Sequence, residues 1–403
     1  MRILFVVPRF PFPLRRGHQV RAFHQLRLLS DRHRITLFAV SPGDPPPEAA
    51  AVAPFCEEIV TAPLSPAGAA ASALRGVFSS RPVQAAAFGG AALRRRLRET
   101  VARVRPDVVH VQLARMAPVV DADVGVPRVM DLVDSLSLNM ERRFRRDRGA
   151  ARWAAWAEWK RMARYEREIS ATWDHVTVVS RVDRDAIGDF PRLTVNPNGV
   201  DLRAFPFRPD GHAADTIAFT GNLGYFPNVD AITWFAREIL PAVRRAAPAA
   251  VFRVAGARPA RAIRSLAAAG SVRLEGDVDR IDETLGGATV AVAPMRAGSG
   301  QLLKILEAMA SGVPVVATPL AASAFDFVPG RDLLVAGDPG EFAAAVARLL
   351  RDPDEARAIA LRARQSVEER YGWESPVADL ERIYASVAAG RPLSSAGRSP
   401  SVR

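Results

Sequence analysis

The chain has 403 residues, of which 49% are hydrophobic and 24% charged, which is normal for a globular protein and long enough for two domains. Its one cysteine, Cys56, excludes a disulfide framework and a cysteine-based metal site, and fits a reducing cytosol. No apolar run approaches the roughly 20 residues that span a bilayer, and the apolar run at residues 3–7 is too short for the core of a signal peptide.

The net charge of +12 is concentrated in the first half of the chain. Residues 1–200 contain 31 lysine and arginine residues against 20 acidic ones, whereas residues 201–403 contain 24 against 23. This asymmetry favours an acidic partner on the side of the first half. Nucleic acid, anionic lipid and a pyrophosphate-linked acceptor all satisfy it.

Short apolar runs alternate with helical segments along the first half. Strands are predicted at residues 2–7, 35–40, 108–112, 128–132 and 176–179, and a helix at residues 19–29. Continuous runs of Val, Ile and Leu separated by helices indicate a parallel sheet that is covered on both faces.

A tryptophan stripe follows in residues 142–173. Trp153, Trp156 and Trp159 recur every three residues, and arginines are frequent in the rest of the segment. We expect an amphipathic helix that packs its tryptophans on the core and exposes a basic side. The alternative, in which the basic side rests on an anionic membrane surface, remains open.

The second half repeats the pattern, with strands predicted at residues 217–220, 251–255, 272–274, 290–293, 313–317 and 333–335. A linker rich in proline and glycine lies between, at residues 196–215. We therefore predict an α/β protein with two doubly wound, Rossmann-like domains that face each other across a cleft. The predicted domains are residues 1–200 and 201–375, followed by a helix at 376–389 that packs back on the first domain and a disordered tail at 390–403.

The segment with the clearest chemistry is residues 294–319, PMRAGSGQLLKILEAMASGVPVVATP. A flexible loop, Gly298-Ser299-Gly300, leads into a helix that carries Lys304 and Glu307 in its first turns. Free N–H groups and the positive end of the helix dipole make such a helix start a site for anions. It suits a diphosphate, and Glu307 is near enough to accept hydrogen bonds from ribose hydroxyls.

Lys304 is one of only two lysines in the chain, the other being Lys160. A chain this biased towards arginine has retained a compact ammonium group beside Glu307, and we interpret Lys304 as a specific phosphate contact. The alternative is a lysine on a solvated helix face without a function.

Four segments of the sequence resemble the family 4 glycosyltransferases, which are retaining sugar-nucleotide enzymes of the GT-B fold. They are ILFVVPRFPFPLRRGHQVRAFHQLRLLS, VNPNGVDLRAF, FTGNLGYFPNVDAITWF and GSGQLLKILEAMASGVPVVATPLA. The resemblance covers most of the chain, from Met1 to about Ala388. It implies the GT-B fold and a role in the synthesis of surface polysaccharides or exopolysaccharides.

The resemblance also assigns donor-binding residues. Glu307 matches the second glutamate of the family's E-x7-E motif, which binds the donor ribose, but the first glutamate is replaced by Ser299. An Arg-Lys pair common in relatives is absent after Gly221 and Asn222, so Lys304 and Arg296 are expected to neutralise the diphosphate. The residues expected to bind the donor are Gly17, Gly221, Asn222, Val278, Arg296, Gly298, Ser299, Gly300, Gln301, Leu302, Lys304 and Glu307.

On the acceptor side, the resemblance points to His110 and Asp134 as catalytic residues. His110 is expected at the end of a predicted strand, where relatives often place active-site histidines, although it could instead be a structural histidine. Asp134 ends the next strand and matches a polar position beside the acceptor, although it could instead cap the following helix. His18, next to Gly17, is a further candidate for the cleft.

Together these features predict a cytoplasmic retaining hexosyltransferase that acts on a saccharide or lipid-linked acceptor, and that is membrane-peripheral if the basic helix side rests on the membrane. No metal and no cofactor are expected, because Asp-x-Asp pairs are scattered along the chain and cations can replace a metal at the diphosphate. A sugar-nucleotide epimerase on the same fold is the alternative. A nucleic-acid-binding protein is disfavoured, because no basic motif with interleaved aromatic residues is present.

Overall fold

The computed structural model describes residues 1–41, 43, 45–77, 79–208, 213–276, 278 and 281–390. Part of the predicted linker, including Pro209 and Gly211, lies outside the described residues, as does the predicted tail from residue 391 onwards.

The first half of the chain forms a parallel sheet with strand order β3-β2-β1-β4-β5-β6-β7. We call this sheet and its helices the N-terminal lobe. Ile3 of β1 pairs with Ile35 of β2 and with Val108 of β4, which puts β1 in the middle of the sheet. Two buried apolar clusters cover its two faces, as the continuous Val, Ile and Leu runs predict. The strands are β1 (Arg2–Val7), β2 (Arg34–Val40), β3 (Glu58–Ala62), β4 (Val108–Gln112), β5 (Arg128–Val133), β6 (His175–Val178) and β7 (Leu193–Val195).

Helices flank this sheet on both faces. They are α1 (Gly17–Leu29), α2 (Pro66–Val77), α3 (Val83–Ala86), α4 (Ala91–Val104), α5 (Leu136–Arg146), α6 (Gly149–Thr172) and α7 (Arg181–Ile187). Short 3₁₀ turns occupy residues 47–51, 53–55 and 114–119. The third of these turns follows β4 directly and so lies at the carboxyl edge of the sheet.

The second half forms a second parallel sheet with the order β10-β9-β8-β11-β12-β13, which we call the C-terminal lobe with its helices. Its strands are β8 (Ala213–Thr220), β9 (Val251–Ala255), β10 (Arg273–Gly276), β11 (Ala288–Ala293), β12 (Val315–Ala317) and β13 (Leu334–Val335). Its helices are α8 (Phe226–Trp234), α9 (Leu240–Ala246), α10 (Arg261–Ala268), α11 (Ile281–Gly286), α12 (Leu303–Ala310), α13 (Pro319–Ala322), α14 (Pro339–Arg351) and α15 (Pro353–Arg370). A π-helical turn at Phe235–Ile239 joins α8 to α9.

The last described helix, α16 (Glu374–Ala388), packs on the N-terminal lobe. Its apolar side, which includes Leu380 and Tyr384, belongs to the same buried cluster as Phe5 and Leu26. The chain passes to this helix beside the segment that connects the lobes, where a Cβ on Gly199 would lie 2.7 Å from the Trp373 ring. Only glycine permits this approach, which fixes the connection between the lobes.

A buried ion pair holds the same connection. Arg21 and Asp131 are both fully buried, and their Nε and Oδ2 atoms lie 2.6 Å apart. The Arg21 guanidinium also donates to Asn196 Oδ1 at 2.7 Å and to the Pro197 carbonyl at 3.0 Å. Because Nη1 and Nη2 of Arg21 are both directed at the inter-lobe segment, the pair fixes where the C-terminal lobe leaves the first sheet.

The prediction that the tryptophan stripe packs on the core is wrong for two of its three members. Trp153 and Trp156 are 63% and 41% exposed, whereas Trp159 is half-buried and stacks on Phe144. The reason is that the start of α6 packs beside the arginine-rich helix α5 rather than on the sheet. Only the later part of α6, from Met162 onwards, faces the core.

Candidate active site

The centre of the site is the loop of residues 298–302, which we call the glycine loop, and the start of α12. Leu302 is the residue before the helix, and within the described residues no side chain caps it. The Ile305 N–H donates to the Leu302 carbonyl at 3.0 Å, and the N–H groups of Leu303 and Lys304 before it have no hydrogen-bond partner within the described residues and can bind a ligand. Eight residues follow in helical geometry, so the helix start presents the anion-binding arrangement predicted from the sequence.

Lys304 lies at the bottom of this arrangement. Its Nζ donates to Asn228 Oδ1 at 3.0 Å and lies 3.5 Å from the centre of the Phe219 ring. A Cβ on Gly221 would come within 3.1 Å of Nζ, and Gly221 has a φ of +141°, so a glycine is required there. Burial lowers the pKa of Lys304 to about 7, against the attraction of Glu307.

Glu307 lies one turn later on the same face of α12, as an i,i+3 neighbour of Lys304. It is half-buried, and burial raises the pKa of its carboxyl group to about 7, while Lys304 acts in the opposite direction. Both side chains thus have pKa values close to neutrality in the unliganded site. A phosphate would favour the ammonium form of Lys304, and hydroxyl donors would favour the carboxylate form of Glu307.

The glycine loop touches the N-terminal lobe directly. Ser299 Oγ donates to Asp134 Oδ2 at 2.5 Å and accepts from Asn139 Nδ2 at 3.2 Å. The carbonyl of Gly298 accepts from the Arg142 guanidinium. Gly300 has a φ of +72°, and a Cβ there would lie 2.9 Å from the Asp134 Cβ. The site is therefore formed by both lobes.

Asp134 follows β5 directly, as predicted, and lies at the edge of the sheet that faces the glycine loop. Val133 before it has a φ of +66°, which is strained for a β-branched residue, and the pairing with β6 shifts register at this point. Burial raises the pKa of Asp134, against the hydrogen bond from Ser299 and the charge of Arg115. A carboxyl group in such a place can accept a proton or orient a hydroxyl group.

The expectation for His110 is wrong. The strand β4 continues to Gln112, so His110 lies inside it and is fully buried. Its ring stacks on Phe5, with 4.3 Å between the centroids, and its Nδ1 lies 2.9 Å from the Tyr384 hydroxyl. Burial lowers the pKa of His110 to about 4, so the ring is neutral. His110 belongs to the core beneath α16.

Arg296, which is expected to neutralise the diphosphate, is already paired with a carboxylate, so its contact with the donor stays a prediction. Its guanidinium is paired with Asp230, with Nη2 and Oδ1 2.7 Å apart, and lies 4.9 Å from the centre of the Trp234 ring. Asp230 also binds Arg146 of the N-terminal lobe. Arg296 therefore belongs to an ion-pair network, centred on Asp230, that links the two lobes.

The other predicted positions lie around the cleft. Gly17 begins α1, and a Cβ there would be 3.9 Å from Leu303 Cδ1, so the starts of α1 and α12 face each other. Gln301 accepts from the Asn198 N–H at 2.7 Å and donates to the Ala324 carbonyl at 3.0 Å. The Asn222 carbonyl accepts from Asn228 Nδ2 at 2.9 Å. Val278 is half-buried between β10 and α11.

Sequence reasoning missed four residues of this site. Asn228 positions both Lys304 and Asn222, while Asn139 and Arg142 hold the glycine loop. Arg115 lies close to Asp134. A signal existed only for Asn228, which is in the quoted GNLGYFPN segment; the others act across the cleft, and nothing in the spacing of the sequence brings them there.

The described residues contain neither a candidate metal site nor a helix that could cross a membrane. The described residues contain no group of three or more His, Cys, Asp or Glu side chains that could hold a metal ion. Asp277 and Asp279, one of the Asp-x-Asp pairs, lie outside them. Among the described helices, none is long and apolar enough to cross a membrane.

The fold is similar to that of several solved structures. Sucrose-phosphate synthase from Thermosynechococcus elongatus matches with a TM-score of 0.75 at 17% identity, over 97% of this chain and 100% of that chain. Anabaena HepE in complex with UDP-glucose matches with a TM-score of 0.68 at 14% identity, over 96% and 100%. WaaG, a glycosyltransferase involved in lipopolysaccharide biosynthesis, matches with a TM-score of 0.65 at 12% identity, over 94% and 99%. At these identities the likeness shows the fold, which is the predicted two-domain GT-B arrangement.

The sequence comparisons address the family. No curated protein sequence matches this chain. The family model described as Glycosyltransferase Family 4 matches residues 15–204, and the model described as Glycosyl transferases group 1 matches residues 214–352. The two matches follow each other along the chain and together include both lobes, so the resemblance predicted from four sequence segments is confirmed. The chain belongs to the family 4 glycosyltransferases.

Proposed function

We propose that this glycosyltransferase moves a hexosyl group, with retention of configuration, from a nucleotide diphosphate sugar to a saccharide or lipid-linked acceptor in surface polysaccharide synthesis. The observation that carries the proposal is the uncapped start of α12 with Lys304 and Glu307 on one face. The similar structures of Anabaena HepE with UDP and with UDP-glucose support a donor of this class.

In this proposal the donor lies against the C-terminal lobe. The diphosphate accepts hydrogen bonds from the N–H groups at the start of α12 and from Lys304, whose ammonium form it stabilises. Glu307 accepts from the ribose hydroxyls. Gly221 and Asn222 leave room beside Lys304, and the main chain near Val278 contacts the base.

The donor sugar meets the glycine loop and Asp134. Ser299 occupies the position of the missing motif glutamate, but its hydroxyl group already donates a hydrogen bond to Asp134. It therefore does not replace the contact of that glutamate with the donor sugar. The sugar is held instead by the N–H groups of residues 299–302. Asp134 orients the acceptor hydroxyl group.

The transfer breaks the bond between C1 of the sugar and the diphosphate oxygen and forms a bond from C1 to the acceptor oxygen. The transition state has oxocarbenium character, and the leaving diphosphate is stabilised by Lys304 and the helix start. The acceptor proton passes to the leaving diphosphate on the same face of the sugar. The chain's cations take the place of a metal ion, and no cofactor is needed.

Closure of the cleft completes the site and excludes water. In this motion the domain of residues 1–200 and the domain of residues 201–375 move relative to each other. The helix at 376–389 returns to the first domain and moves with it. Two hydrogen bonds between the lobes would stabilise the closed arrangement, that of Ser299 with Asp134 and that of Arg142 with Gly298.

We further propose that the enzyme acts from the cytoplasm at the inner membrane surface. The exposed Trp153 and Trp156 lie on a helix with many arginines, and Leu74 of α2 is 65% exposed. Aromatic and basic side chains together favour the interface of an anionic bilayer. Co-sedimentation with vesicles that contain phosphatidylglycerol should decrease in a Trp153→Ala/Trp156→Ala variant, and unchanged binding would contradict membrane docking.

The function is tested by melting temperatures in the presence of UDP, GDP, ADP and their hexose conjugates. A ligand that binds only the folded protein at about 100 times its Kd stabilises it by about 2.7 kcal/mol, which is easily seen. NMR of the reaction with the active donor should show transfer with retained anomeric configuration. If none of these nucleotides raised the melting temperature, or if the donor alone were converted into its epimer, the proposal would be wrong.

A further inference from the structure

Four arginines converge on the cleft opposite the glycine loop. Arg9 follows β1, Arg16 directly precedes α1, Arg115 is in the 3₁₀ turn after β4, and Arg258 follows β9. We call these four residues the arginine cluster. Since all four lie beyond the carboxyl ends of parallel strands or at a helix start, they occupy the edge of each sheet at which ligands bind in such folds.

Several contacts bring these segments together. Gln112 Nε2, at the end of β4, donates to the carbonyl of His18 at 3.1 Å, which joins the Arg115 turn to the start of α1. In the other lobe, a Cβ on Gly224 would lie 3.5 Å from the Arg258 Cβ. Tyr225, the next residue, has its hydroxyl 3.5 Å from Asn139 Nδ2 of the N-terminal lobe. The cluster thus spans the cleft.

The charges of the cluster act on one another. The pKa of Arg9 is lowered by burial and by the charges of Arg115 and Arg258, and the pKa of Arg16 by burial and by Arg9 and Arg258. His18 lies among them; burial and three of these arginines lower its pKa to about 3, so it stays neutral.

Within the described residues the arginine cluster has few counter-charges. Within the described residues none of its four members forms an ion pair, whereas Arg296 nearby is paired with Asp230. The buried Nε of Arg115 has no hydrogen-bond partner. The acidic neighbour of Arg115 is Asp134, which already accepts from Ser299. Arg16 and Arg115 are half-buried, whereas Arg9 and Arg258 are exposed. Half-buried cations without partners are unfavourable, so the arrangement implies an anion that arrives with a ligand.

The backbone of Arg258 is a second indication that the arginine cluster binds a ligand. Arg258 has a φ of +59°, a conformation that is rare for a residue other than glycine. Strain of this kind persists at ligand sites, where the surrounding structure fixes it. It places a cation from the C-terminal lobe beside three from the N-terminal lobe.

Building on the proposed function, we propose that the arginine cluster binds a phosphate or diphosphate group carried by the acceptor, separate from the donor diphosphate at α12. The acceptor would then be a phosphorylated or diphosphate-linked saccharide or lipid. The donor diphosphate has Lys304 and the start of α12 as its own partners, so a second anion is needed to compensate the cluster. This agrees with the excess of basic residues in the first half of the chain.

The experiment titrates inorganic pyrophosphate into the protein saturated with UDP. We expect one pyrophosphate to bind, and an Arg9→Gln/Arg258→Gln variant to bind it at least about tenfold more weakly, as the loss of charged hydrogen bonds implies. The UDP affinity of this variant should change by less than about threefold. Lys304→Met should show the reverse pattern. The control is Arg237→Gln/Arg245→Gln, which removes the same charge from two exposed arginines of the C-terminal lobe.

The outcomes separate the two proposals. If UDP-saturated protein binds no pyrophosphate, or if the cluster variant loses UDP affinity as strongly, the cluster serves the donor and the inference is wrong. If UDP does not bind but pyrophosphate binds through the cluster, the proposed function fails and so does the acceptor assignment. The melting temperature gives a further test. It should stay equal or rise in the cluster variant, since repulsion is relieved; a large fall would indicate a structural role instead.

Discussion

Gly300 packs closely on Asp134 of the other lobe, and Gly300→Ala tests whether that contact exists in solution. The residue has a φ of +72°, and a Cβ at this position would lie 2.9 Å from the Cβ and 3.6 Å from the Cγ of Asp134. An alanine therefore strains its own backbone and pushes the glycine loop away from Asp134.

The expected effect of Gly300→Ala is the sum of two free-energy costs, the strain of the backbone and the steric clash with Asp134. Left-handed backbone at an alanine costs about 1–2 kcal/mol. Carbon atoms pack at about 3.5–4.0 Å, so a 2.9 Å contact must open by well over half an ångström, and overpacking of this kind costs about 1–3 kcal/mol. The second term is relieved when the lobes separate. It therefore reduces the ratio of closed to open molecules by about 5- to 150-fold.

Gly298→Ala is the matched control. Gly298 has a φ of +109°, so alanine is strained there too, but the nearest side-chain atom, Pro227 Cβ, would be 3.7 Å away. Small-angle X-ray scattering should give a larger radius of gyration for Gly300→Ala than for Gly298→Ala or the wild type. Saturation with UDP should reduce this difference.

Equal radii for the two variants would refute the reasoning, because the contact with Asp134 would then be absent in solution. A fall in melting temperature that is the same for both variants, without a change in radius, would likewise mean that only the backbone strain matters.

Three other substitutions test separate parts of the structure. Arg21→Met leaves Asp131 as a buried unpaired charge and should cost about 3–5 kcal/mol in urea unfolding; a loss below about 1 kcal/mol would contradict the role given to this pair. His110→Gln should lower the melting temperature yet leave UDP affinity unchanged, whereas a large loss of UDP affinity would indicate that His110 is a residue of the active site. Ser299→Glu should weaken donor turnover, because it puts a second carboxylate against Asp134 and raises the pKa of the pair. Its stability relative to wild type should therefore be retained at low pH and lost as the pH rises, and a flat pH profile would argue against the contact.

Much of the fold follows from the sequence, because buried parallel strands need continuous apolar runs. Every predicted strand is present within a few residues of its observed bounds, although β3 and β7 were not predicted. β7 has three residues, and β3 begins with Glu58 and includes Thr61, so neither has the pattern of a fully buried strand. The start of α12 was predictable because its glycine loop and the charged pair are local in sequence.

What the sequence could not predict depends on contacts between distant segments. His110 occupies a strand whose end faces the cleft, and only the return of α16 shows that the residue is covered by Tyr384. The exposure of Trp153 depends on α5, which separates the start of α6 from the sheet. The pairing of Arg296 with Asp230 joins the loop after β11 to α8, two segments that are distant in sequence. None of these follows from periodicity or spacing.

The most direct measurement is calorimetry of UDP binding to the wild type and to Lys304→Met between pH 7 and pH 9. The buried Lys304 has a pKa of about 7 when unliganded, and a diphosphate raises it, so wild-type affinity should fall as the pH rises above 7. Lys304→Met should bind UDP about 10- to 100-fold more weakly at pH 7, as expected for a lost charged hydrogen bond, and show no such fall. Equal affinities, or the same pH dependence in both proteins, would mean that the diphosphate does not lie at the start of α12.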